Sequence, residues 1–176
     1  MNTTRRALLT ASLALPLVAL VPFAWVNKAL SSEEETPPLK RVSLAVHSAQ
    51  GPHRLSVEVA QTHAQRQKGL MGRAVLHADH GMLFTYEHEQ SAYHGFWMYR
   101  TLIPLDIAFI DGEGVIVAIK TMLPCESSSP SACRSYAPGK PYRAALEVNA
   151  GYFAKRGIAE GDCVTLPGVA GACRSS

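Results

Sequence analysis

The chain has 176 residues, a formal charge of +3 and 47% hydrophobic residues, which allows one domain with a real core and excludes two comfortable ones. Arg5, Arg6 and Lys28 supply the charge excess, because all 14 acidic residues follow Ser32 and balance the remaining lysines and arginines. A neutral body has no basic face with which to release counterions from phosphates, so no nucleic-acid partner is expected.

Arg5 and Arg6 precede an apolar run from Ala7 to Val26, followed by the small residues Ala29-Leu30-Ser31-Ser32. That order predicts an export signal over residues 1–31, with Ala29 and Ser31 as its cleavage signature. The run is also long enough to span a bilayer, so an uncleaved anchor over residues 7–26 is the alternative, which Pro16 and Pro22 weaken. Thr4-Arg5-Arg6-Ala7-Leu8-Leu9 fits a minimal twin-arginine pattern as well, leaving the export route open. The expected address is periplasmic or extracellular, with the membrane touched only through this segment.

Residues 32–39, with Glu33-Glu34-Glu35 and Pro37-Pro38, are too polar and Pro-rich to pack and read as a linker. A single globular domain is expected over residues 40–167 and a Gly-rich tail over 168–176. Val42, Leu44 and Val46, then Leu55, Val57 and Val59, alternate with polar neighbours and predict two paired strands around a turn at Ser48–His53. Thr62-His63-Ala64-Gln65 has the form of a capping box and Gly69 of a helix stop. Met82–Tyr86, Phe96–Tyr99 and Leu105–Ile110 read as strands. Asp111-Gly112-Glu113-Gly114 then turns the chain into Val115–Ile119. A surface loop over Leu123–Pro141 leads to a strand at Tyr142–Val148. A short helix over Tyr152–Arg156 follows, capped by Asn149 and ended by Gly157, then a last strand at Cys163–Leu166. The fold class is α+β and mainly β: a small barrel-like or strongly bent antiparallel or mixed sheet with two short helices.

Four cysteines, Cys125, Cys133, Cys163 and Cys173, all follow the leader, and an even count in an oxidising compartment favours disulfides. Cys125 with Cys133 and Cys163 with Cys173 is the preferred pairing, since each closes a short local loop. A four-thiolate zinc site is the rival and lacks paired Cys-x-x-Cys knuckles.

The motifs Gly69-Leu70-Met71, Gly81-Met82-Leu83-Phe84, Phe96-Trp97-Met98, Thr101, Ile103-Pro104-Leu105-Asp106 and Phe109 stand in one order after Thr62. Gly114-Val115, Pro124, Tyr136, Leu146-Glu147, Gly151, Gly157-Ile158 and Gly161-Asp162 continue it. Together they resemble domain-of-unknown-function family 192, also called uncharacterised protein family 0127, over roughly residues 42–166. The resemblance implies a compact, mostly β, barrel-like domain of secreted or membrane-anchored proteins, and it implies no activity. Two departures stand out: Tyr99 separates Arg100 from the Trp-Met pair, and the cysteine loop is longer than the family's minimal pattern.

Asp106 and Glu147 are the carboxylates set among apolar strand residues. As a catalytic pair they would serve acid/base or metal chemistry; as structural groups they would pair with backbone donors or with Arg73 or Arg100. A ligand cleft near Trp97, Arg100 and Asp106 is expected. His77 and His80 flank Asp79 without the helical spacing that lets histidines share a metal, and Met71, Met82 and Met98 beside Trp97 read as core filling before copper binding. No metal and no cofactor is expected. No Gly-x-Ser-x-Gly elbow or phosphate loop occurs. The expected function is that of a monomeric, exported binding or accessory domain for a small or peptidic ligand, the alternative being a carboxylate hydrolase or transferase, with or without a divalent ion.

Overall fold

A computed structural model describes residues 38–165. The expected export signal, the 7–26 anchor, most of the linker, the tail and Cys173 lie outside the described residues. In chain order the elements are β1 (Lys40–Ser48), β2 (Gly51–Ala60), α1 (His63–Lys68), β3 (His80–Gln90), β4 (Phe96–Trp97), β5 (Leu105–Ile110), β6 (Ile116–Met122), β7 (Ser135–Tyr136), β8 (Tyr142–Asn149), α2 (Tyr152–Lys155) and β9 (Cys163–Thr165).

Alternation builds the first hairpin: Leu44 and Val46 of β1 and Leu55 and Val57 of β2 are buried, and Leu44 stands opposite Leu55. The turn tightens to Ala49-Gln50, because Gly51 adopts a φ of 107° and the ladder restarts there. The capping box closes as expected, the Gln65 amide donating to Thr62 Oγ1 at 3.2 Å and the Thr62 amide to Gln65 Oε1 at 3.0 Å. The crossover through α1 brings β3 back parallel to β2, which makes the sheet mixed.

Seven strands form one curled sheet in the order β6-β5-β8-β3-β2-β1-β9. It is a half-barrel whose two edges meet at one end, where the Ile116 amide donates to the Asp162 carbonyl and the Val164 amide to the Gly114 carbonyl, both at 2.8 Å. The concave face gathers apolar residues from all seven strands, among them Val46, Val57, Leu83, Ile110, Leu146 and Val164, and α2 adds Tyr152 and Phe153. Met82, Phe84, Leu105, Ile107, Phe109 and Ala145 form a second core on the opposite face. Leu70, Met98, Met122 and Tyr142 also belong to it, with Phe96, Ile103 and Tyr136 packed against it.

Three expectations change. The strand predicted at Phe96–Tyr99 keeps two residues and pairs with β7 in a separate ribbon, because Thr101 turns back to donate to the Met98 carbonyl at 3.1 Å. The loop after Leu123 therefore holds β7 and a 3-10 turn at Pro130–Ala132. Asn149 does not cap α2: it ends β8, its amide donates to the Leu76 and His77 carbonyls, and Gly151 at a φ of 79° leads the helix instead. Cys125 and Cys133 form a disulfide, with Cα atoms 5.6 Å apart. Cys163 is also oxidised. No helix among the described residues is long and apolar enough to cross a membrane.

Candidate functional site

β8 lies between β3 and β5, and Ala144–Val148 have a paired neighbour on both sides. Strand alternation places Leu146 and Val148 on the concave face, which turns Ala145 and Glu147 to the second face. There Glu147 stands opposite Met82 of β3 and Ile107 of β5 and is 5% exposed. No hydrogen bond or ion pair from the described residues reaches its carboxyl. Burial pushes its pKa up to about 8, so at neutral pH the group is mostly an uncharged acid.

The carboxyl lies at a cleft of about 650 Å³ between α1, β3 and the β4 segment. Four Phe, Tyr and Trp rings line it, those of Phe84, Tyr86, Phe96 and Trp97. Phe84 and Phe96 meet edge to face with centroids 4.9 Å apart, the favoured geometry for an aromatic pair. Arg66 lies over the Tyr86 ring at 4.7 Å and donates to the Thr85 carbonyl at 3.0 Å and to the Gln61 carbonyl. Burial raises the Tyr86 phenol as well. Tyr142 donates its hydroxyl to the His94 carbonyl at 2.9 Å, closing the floor behind Tyr86. His63, Lys68, Glu87 and His88 stand exposed around the opening.

Trp97 and Glu147 line this cleft, whereas Asp106 and Arg100 do not. Asp106 has the parity of Ala108 and Ile110, so it faces away from Leu105, Ile107 and Phe109 as the alternation predicts. Asp106 and Glu147 consequently occupy opposite faces of the sheet, so the alternative in which they act as a carboxylate pair is not supported. Thr121 donates its hydroxyl to Asp106 Oδ1 at 2.8 Å. Neither predicted arginine reaches Asp106: Arg73 bonds Glu58, and Arg100, at a φ of 55°, lies 5.0 Å over the Tyr99 ring. Met82 and Met98 are core residues and Met71 lines the cleft. His77 and His80 touch edge to face at 5.0 Å, and among the described residues no three His, Cys, Asp or Glu side chains converge as a metal group.

Sequence reasoning missed the contributions of α1 and of Tyr86. The signal was present in β3, where Met82, Phe84 and Tyr86 recur at period two on one face.

Fold and site together define a small half-barrel domain with one aromatic cleft over a buried acid. The family model described as Uncharacterized ACR, COG1430 (DUF192) matches residues 45–166, and the chain belongs to this family. A protein of unknown function from Novosphingobium aromaticivorans DSM 12444 is similar at 32% identity and a TM-score of 0.64, covering 75% of this chain and 89% of that one. A presumed transcription regulator from Sinorhizobium meliloti 1021 is similar at 32% identity and a TM-score of 0.63, covering 72% of this chain and 94% of that one. No curated protein matches the chain.

Proposed function

We propose that the chain is an exported envelope domain that binds a small or peptidic ligand in the Glu147 cleft, as a binding or accessory protein. One observation carries this: a buried carboxyl with no hydrogen-bond or ion-pair partner among the described residues lies at an aromatic cleft large enough for a compact ligand. Support for export comes from the order of basic, apolar and small residues over 1–31, which reads as a leader in the sequence, and from the Cys125–Cys133 disulfide. The rival hydrolase or transferase needs Asp106 beside Glu147, and the sheet separates them. The regulator description attached to the Sinorhizobium protein finds no support in this domain's charge balance.

A nuclear magnetic resonance screen of small molecules and short peptides tests the proposal. Binders should perturb Trp97 and Tyr86, and Trp97→Ala should weaken them by about 1–2 kcal/mol with the fold retained. Binders that perturb only residues away from the cleft, untouched by that substitution, would overturn it. Export is checked by cell fractionation, where recovery of the unprocessed chain in the cytosol alone counts against it.

A further inference from the structure

Glu147 is an acid to which no cation among the described residues is paired. Its strand neighbours Met82 and Ile107 are apolar, and its nearest electrical neighbour on β3 is the Tyr86 phenol. The adjacent basic groups have other work. Arg66 of α1 is held by the Tyr86 ring and two backbone carbonyls, and His94 Nδ1 lies 2.9 Å from Gln90 Oε1. His63, Lys68 and His88 stand at the exposed opening with Glu87, and Tyr142 faces Tyr86 from Glu147's own strand. A buried carboxyl in this position either stays protonated or meets a cation brought from outside. The space beside it is walled by rings, whose faces attract cations.

Resting on the cleft being a binding site, we propose that it takes a ligand's ammonium group over Glu147, beside Phe84, Phe96 and Trp97. The anionic end of the same molecule turns to His63 and Lys68 at the opening. That is the chemistry of a free amino acid or of a short peptide. The ammonium arrives charged, the Glu147 carboxyl gives its proton to solvent, and a carboxylate–ammonium pair remains in a setting where charge attraction is little screened. The raised proton affinity of Glu147 makes that proton release visible at neutral pH.

The test follows the Glu147 carboxyl and the Trp97 indole of the full chain by nuclear magnetic resonance during pH titration. Four probes are added separately: phenylalanine, the dipeptide phenylalanylalanine, phenethylammonium and N-acetylphenylalanine. The three ammonium probes should lower the Glu147 midpoint by about one unit, corresponding to about tenfold preference for the ionised carboxyl. N-acetylphenylalanine should not lower it, and Glu147→Gln should weaken the ammonium probes by the same factor. Tighter binding of phenylalanine than of the dipeptide assigns a free amino acid; the reverse order assigns a peptide. If N-acetylphenylalanine perturbs Trp97 as strongly as phenylalanine while no probe moves the midpoint, the ammonium assignment is wrong and the cleft remains a binding site. If no probe perturbs either residue, both the assignment and the binding site fail.

Discussion

Glu147 links its place in the sheet to a measurable cost. Its pKa rises from 4.5 to about 8 because burial penalises the charged form. Below pH 4.5 the carboxyl is protonated in the folded and the unfolded chain alike, and it costs nothing. As pH rises from there to about 8 the unfolded chain ionises first, so stability falls across that window and levels off above it. The full loss is at most about 4–5 kcal/mol. Glu147→Gln should flatten the dependence and raise stability at pH 8 by up to that amount while changing little at pH 5; urea unfolding at both pH values checks it. Asp106 is the contrasting case, buried but satisfied by Thr121. Thr121→Val leaves its carboxylate without that donor and should lower unfolding free energy by about 1–2 kcal/mol, read from the urea midpoint.

At the scale of elements, the approach of β3 to β8 sets where Glu147 stands. A Cβ on Gly81 would lie 2.5 Å from the Glu147 carbonyl oxygen and 3.0 Å from Val148 Cγ1, so a glycine is what lets the two strands pair there. Gly81→Ala should cost about 2–3 kcal/mol in denaturant unfolding. Gly112→Ala, whose Cβ would meet only Arg143 Cδ at 3.8 Å, should stay within about 0.5 kcal/mol and serves as the control. The elements legible in the sequence are those specified by local chemistry. Thr62 and Gln65 close their capping box, Leu105–Ile110 is β5, and Asp111 Oδ1 accepts from the Glu113 and Val115 amides in the hairpin turn. The faces were not legible in the same way. β5 is buried along its whole length, so its alternation separates Asp106 from Ile107 without telling which side holds a cleft. That required the register of β8 between β3 and β5, which no local pattern encodes.

For the molecule as a whole, a curled sheet with apolar residues on both faces must be covered twice. The concave face closes over itself with α2, and the second face is covered by the segments around Leu70, Phe96 and Tyr136. The second cover is stapled: the Cys125 amide lies 3.4 Å from the Met98 carbonyl, one residue past Trp97, and the disulfide to Cys133 spans eight residues. Cys125→Ser with Cys133→Ser should therefore lower stability by about 2–3 kcal/mol in the loop-entropy description. Thermal melting should show the loss, and a reductant should then have less effect on the variant than on the parent. The mainly β class and the half-barrel curvature follow from alternation and turn spacing. The cleft does not, since α1, β3 and the β4 segment are brought together only by the parallel crossover and the β4–β7 ribbon. The most direct measurement is the titration of the Glu147 carboxyl carbon in the free protein. A midpoint near 8 is predicted for an unpartnered acid buried beside the aromatic cleft; a midpoint in the ordinary carboxylate range near 4.5 would contradict it.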